Sequence, residues 1–288
     1  MKRLLACATL LFAGCATSQP TAPAERFVTA VDAAYAIPTS APQGSLLVGT
    51  VPRGTRVTFD ERAVRESAKG RFVLGIARER TAPVVLLVDP PGLEVERPHR
   101  IDIVDRDFPS ERITGVPEST VNPPPAIAER IADEQRMVAK ARERDDARTD
   151  FDAKFIWPVT GRISGVFGSQ RIYNGTPKSP HSGLDVAAPE GTPVRAPAAG
   201  IVTFADPDLY LTGGTVLIDH GHGVSSSFLH LSRIDVKVGE RVEQGQTFAA
   251  VGRTGRATGP HMHWGLNWFD TRVDPQLLVD PAANPQQP

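Results

Sequence analysis

Cysteine is missing from almost all of this sequence. Of 288 residues only Cys7 and Cys15 are cysteine, so the chain beyond them has neither disulfides nor thiolate metal ligands. Any metal it holds must rest on His, Asp or Glu. An excess of one charge is missing too: 32 Lys and Arg face 33 Asp and Glu, a formal net charge of -1, which leaves no electrostatic basis for a nucleic-acid partner. No run reaches the ~20 apolar residues that a spanning helix needs; Leu4 to Phe12 falls far short and nothing later qualifies. What is present, 40% hydrophobic and 23% charged residues, is the make-up of an ordinary globular protein. The length suits about two domains, at the usual ~100–200 residues each.

Residues 1–15 read as a targeting segment, with Lys2 and Arg3 before the apolar run. Leu11-Phe12-Ala13-Gly14-Cys15 resembles a bacterial lipobox, in which the cysteine becomes the lipidated first residue of the mature chain. By that resemblance, Ala16 implies sorting to the outer membrane of a Gram-negative cell, so the expected location is periplasmic with an N-terminal lipid anchor. An ordinary signal peptide cleaved nearby is the other reading. Residues 16–44, rich in Ala, Pro, Ser and Thr, read as a flexible tether.

Residues 45–118 alternate short apolar runs with Pro/Gly turns, the pattern of a small β-sandwich. Its lone His99 has no chemical company and is given no role. Residues 119–154 comprise a Pro-rich link, Pro123-Pro124-Pro125, and a connector helix expected from Ala126 to Arg148, with Ile127, Ile131, Val138 and Ala141 on one face. Residues 155–279 turn to Gly, Pro and short strand-like runs with no helix pattern of normal length between them, which predicts an antiparallel all-β domain. Residues 280–288 read as a disordered tail. The fold class is therefore mainly β.

Six of the seven histidines fall between His181 and His263. His181-Ser-Gly-Leu-Asp185 is an H-x-x-x-D, and His261-Met-His263 is an H-x-H inside a candidate strand. On a strand, residues two apart share a face, so His261 and His263 project together while Met262 and Trp264 pack behind. Two imidazoles and a carboxylate, with a fourth position left to water, is a common catalytic zinc arrangement. Either motif alone is weak; together with His230, in Phe228-Leu-His-Leu231, they are hard to read as scattered surface histidines. His220 and His222, in Asp219-His-Gly-His-Gly223, are read as structural or rim residues in a turn between strands. The Gly-rich Gly252 to Pro260 leads into a strand and not a helix, so it is read as a wall of a substrate groove and not as a phosphate loop.

These motifs, in this order, resemble the LytM/lysostaphin-type zinc metallopeptidases that cleave peptides of peptidoglycan. The resemblance covers about Phe155 to Leu278 and implies one zinc ion per catalytic domain, held by His181, Asp185 and His263. It matches His230 and His261 to the pair flanking the metal-activated water, one taking its proton and the other orienting or stabilising the tetrahedral intermediate. Phe228 departs from the tyrosine that many members carry two residues before the matching histidine, which removes a hydroxyl from the neighbourhood. The implied partner is peptidoglycan, and the leading bond, in a Gram-negative setting, is the D-Ala–diaminopimelate cross-link. Three other readings compete. A catalytically silent activator of another wall hydrolase would typically lack some ligands, and all are present. A two-His-one-carboxylate iron oxygenase gives no reason for His230 and His261. A structural lipoprotein could still describe the N-terminal β segment.

Overall fold

The computed structural model describes residues 35–92 and 96–284. The targeting segment with Cys15, residues 16–34 of the expected tether and the last four residues lie outside the described part. Strands β1 (Ser40–Pro42), β2 (Leu46–Thr50), β3 (Arg56–Phe59), β4 (Arg62–Val64), β5 (Arg71–Gly75), β6 (Val84–Asp89) and β7 (Arg97–Val104) build the N-terminal half. They form a five-stranded sheet, in the order β1-β7-β6-β3-β4, and a β2-β5 ribbon. Strand β6 shows why: Val84, Leu86 and Val88 are fully buried on one face, while Val85 is exposed on the other.

The composition of residues 35–44 reads as tether, yet Ser40–Pro42 is a strand, paired in parallel with β7 from Ser40↔Asp102 to Pro42↔Val104. The neighbouring sheet supplies the order that this stretch cannot supply by its own pattern.

Beyond β8 (Ser110–Ile113) come the short helix α1 (Glu118–Val121) and the 17-residue helix α2 (Pro125–Ala141). Helix α2 starts at a Pro-favoured first turn and stops well before Arg148. The Asp146 carboxylate accepts from the backbone N–H and the guanidinium of Arg148, a local bonding pattern that competes with the helical ladder. Val138 and Ala141 pack on Phe204, Leu209 and Leu217, and Arg148 and Arg144 then pair with Asp219.

The C-terminal half contains β9 (Arg162–Gly165), β10 (Gln170–Tyr173), β11 (Thr176–Pro177), β12 (Gly183–Ala187), β13 (Pro193–Arg195), β14 (Gly200–Leu209), β15 (Gly213–Gly221), β16 (Val224–Leu231), β17 (Arg233–Ile234), β18 (Arg241–Val242), β19 (Thr247–Ala250), β20 (His261–Trp268) and β21 (Thr271–Val273). Its main sheet runs β18-β14-β15-β16-β20-β12-β9, antiparallel throughout, with β21 also on β20. A second sheet joins the two halves: β8 pairs in parallel with β10, from Ser110↔Gln170 to Ile113↔Tyr173. Trp268 packs on Phe59, and Arg106 pairs with the buried Asp274 at 2.6 Å.

Residues 280–284, expected as the start of a tail, are tied down. Trp157 Nε1 donates to the Asp280 carbonyl, and the buried Asn284 side chain makes two hydrogen bonds with the Gly161 backbone. No helix among the described residues is long and apolar enough to cross a membrane.

Candidate metal centre

Strand β20 sets the site by its two-residue period. Met262, Trp264 and Leu266 are fully buried in the core, and His261 and His263 face the opposite side. Across the sheet Asp185 of β12 lies opposite His263. Leu184 and Val186 on either side of Asp185 are core residues, so the alternation drives the carboxylate onto the site face. His181 enters from the loop before β12.

One atom from each of His181, Asp185 and His263 lies within 4.8 Å of the others. His263 Nδ1 is 2.8 Å from Asp185 Oδ1 and 3.0 Å from His181 Nε2, and His181 Nε2 is 3.1 Å from Asp185 Oδ1. His181 Nδ1 donates to the Val166 carbonyl at 3.0 Å, so Nε2 presents a lone pair to the cluster. A backbone carbonyl behind a ligating imidazole, fixing its tautomer, is the usual support of a metal site. Burial alone raises the Asp185 carboxyl, but the His181 and His263 rings beside it outweigh burial and hold the group well below the ordinary carboxylate range. Burial pushes His263 down to about 4. Two imidazoles and a carboxylate, gathered together with no thiolate near, suit zinc.

Gly183 makes the close approach possible: a Cβ there would lie 2.8 Å from His263 Nε2 and 2.3 Å from the Trp264 carbonyl oxygen.

His230 and His261 complete the cluster, their rings 4.6 Å apart and His261 Nε2 3.9 Å from Asp185 Oδ1. The Gly-rich loop before β20 orients both. His230 Nδ1 donates to the Thr254 carbonyl and His261 Nδ1 to the Gly259 carbonyl, each at 2.8 Å. Burial, and then the neighbouring His261, push His230 down to about 3. His230 also has φ +63, a left-handed conformation that is uncommon away from glycine and tends to gather at functional positions. All five residues singled out in the sequence thus come together. Phe228 does not join them: it pairs with Trp264 on the core face and packs on Phe248, so a hydroxyl on its ring would point away from the site.

His220 lies in β15 rather than in a turn, and is fully buried. Its Nδ1 donates to the Ala199 carbonyl at 2.8 Å, and its Nε2 accepts from Ser226 Oγ, which takes the Trp264 indole N–H at 3.3 Å. His222, at φ +50, forms the turn into β16, and its ring packs at a tilt against Phe151. Burial depresses His220 from 6.5 to about 4, with Asp150 and Arg148 as opposing charged neighbours. A depressed folded pKa contributes stability that is present above pH ~6.5 and lost as pH falls through ~4. At 1.36 kcal/mol per unit this is about 3 kcal/mol. The expected result is that parent and His220→Gln, compared by urea unfolding at pH 7.5 and 4.5, differ least at the lower pH.

Sequence reasoning missed Arg171 and Glu111. Arg171 Nη2 donates to Asp185 Oδ2 at 2.8 Å, and Glu111 Oε2 lies 3.0 Å from Arg171 Nε. The inward-facing Arg171 in β10 was open to a period-two reading; nothing local marks Glu111, which lies in a different segment.

A family model described as peptidase family M23 matches residues 179–275. The crystal structure of a putative peptidase M23 from Pseudomonas aeruginosa is 32% identical, with a TM-score of 0.65, over 82% of this chain and 94% of that one. The peptidoglycan DD-endopeptidase ShyA of Vibrio cholerae is 33% identical over 61% of this chain and 41% of its own length. The cell division protein DipM of Caulobacter vibrioides is 32% identical over 56% of this chain and 25% of its own. The chain thus spans less than half the length of these two curated relatives. With a match over nearly the whole of a solved relative, and the histidine motifs of the family converging on one site, the chain belongs to peptidase family M23, the LytM/lysostaphin-type peptidases.

Proposed function

We propose that this chain is a zinc-dependent endopeptidase that hydrolyses peptide bonds of peptidoglycan, most directly its cross-links. The observation that carries this reading is the convergence of the His181–Asp185–His263 donor set with two further imidazoles whose Nδ1 hydrogens are committed to backbone carbonyls. The activity named for the Vibrio cholerae relative supports the substrate class.

His181, Asp185 and His263 would hold the zinc. Bound there, zinc supplies Lewis acidity and brings the pKa of a water towards ~7. The chain's own residues do the rest. As held by Thr254 and Gly259, both His230 and His261 present a bare Nε2, so each starts as a proton acceptor. Whichever takes the proton of the attacking water becomes an imidazolium that donates to the developing oxyanion or to the leaving amine. His230 is the more deeply buried of the two, and His261 the one nearer Asp185. The reading includes export to the periplasm and anchoring through a lipid on Cys15, with no nucleic-acid partner. A silent activator of another wall hydrolase would leave this five-residue cluster without a use.

The test is digestion of purified cross-linked sacculi by the zinc-loaded chain lacking residues 1–15. New muropeptides are expected, absent with chelator and with His263→Ala, and their masses identify the bond. Zinc uptake without any product would favour the activator.

A further inference from the structure

Strand β8 precedes the region matched by the family, yet it reaches the metal centre. Its parallel pairing with β10 places Glu111 opposite Arg171. The buried Arg171 lies between two carboxylates: its Nη2 donates to Asp185 Oδ2 at 2.8 Å, and its Nε forms an ion pair with Glu111 Oε2 at 3.0 Å. Asp185 Oδ1 is left to face His181 and His263. Room for this arrangement depends on Gly165, where a Cβ would lie 2.4 Å from Arg171 Nη2 and 2.5 Å from Asp185 Oδ2.

We propose that Glu111 and Arg171 are positioning residues of the metal centre, forming a relay that fixes the Asp185 carboxylate and preserves its negative charge for the metal. The proposal rests on the zinc reading above. Arg171 alone would orient Asp185 and also neutralise it. A buried neutral Arg–Asp pair is a poor neighbour for a divalent cation. Glu111 restores the trio to a net charge of −1, that of a single carboxylate, while the Arg171 Nη2–H keeps Oδ2 in place. Both effects strengthen metal binding. Orienting partners of metal ligands typically change metal affinity by ~10–100-fold.

The experiment measures zinc affinity of the full chain by competition with a chromophoric chelator, for the parent, Glu111→Gln, Arg171→Gln and the double variant. Glu111→Gln keeps the shape of a partly buried side chain, so its unfolding midpoint without metal should match the parent while its zinc affinity falls about 10-fold. The double variant should be no weaker than Arg171→Gln, because Glu111 acts through Arg171. Single variants within twofold of the parent overturn the relay. A Glu111→Gln loss that persists in full when Arg171 is already gone overturns the Arg171 arm. A parent chain that takes up no zinc overturns the zinc reading itself, and the relay with it.

Discussion

His261→Ala and His230→Ala are expected to keep the metal and lose the reaction. Neither side chain belongs to the donor set that gathers within 4.8 Å, so zinc content by elemental analysis should match the parent. Loss of a positioned acid–base group lowers the rate by ~10²–10⁴-fold, read as product release from a cross-linked muropeptide at saturating substrate. The two substitutions differ in their side effects. His230 lies at φ +63 with its ring hydrogen-bonded to Thr254, so Ala at that position must hold an unfavourable backbone angle without that bond. His261→Ala is the cleaner test of chemistry. Loss of zinc from His261→Ala would mean that this imidazole is a ligand and that the division into holders and proton carriers is wrong.

Trp264→Ala should produce the largest loss of stability. Trp264 is fully buried, directly behind the His181–Asp185–His263 cluster, with Leu184 and Phe228 opposite it on the neighbouring strands. Its indole N–H ends the chain that runs through Ser226 to His220. Removing a buried Trp costs about 3–5 kcal/mol. Trp264→Phe keeps most of the packing and leaves Ser226 without a donor, an effect of about 1 kcal/mol. Urea unfolding at pH 7.5 separates the two. A Trp264→Ala loss below 1 kcal/mol would show that the sheet is not held from behind in this way.

Legibility in the sequence follows the range of the interaction. The H-x-H in β20 was readable because a strand's two-residue period dictates which side chains share a face, and the core residues Met262 and Trp264 confirm the phase. The loop from Gly252 to Pro260 reads from its sequence as a wall of a substrate groove. That its carbonyls orient His230 and His261 is not legible there, because backbone acceptors carry no side-chain signature. Residues 35–44 misled by composition: Ser40–Pro42 pairs through its backbone with β7, so residues typical of a linker sit in a sheet. Composition alone carries helix α2 on to Arg148, while the charges of the segment after Ala141 are used across the chain, Arg65 with Asp145 and Arg148 with Asp219. The Arg171–Glu111 pair shares the same cause, being a contact made only by the folded chain.

The β8–β10 pairing has a further consequence for where this molecule can be cut. The Gln170 N–H donates to the Pro109 carbonyl and the Asn174 N–H to the Ile113 carbonyl, so residues 109–113 cap an open row of backbone groups on β10. A fragment that begins at residue 155 would expose that row to water and to other molecules. Unprotected strand edges recruit further strands and promote aggregation. A fragment trimmed to the family match at 179 would discard β9 and β10 as well. Keeping β10 covered therefore requires a start before Pro109, and the upstream segment serves as a cover for this strand as well as a neighbour to it.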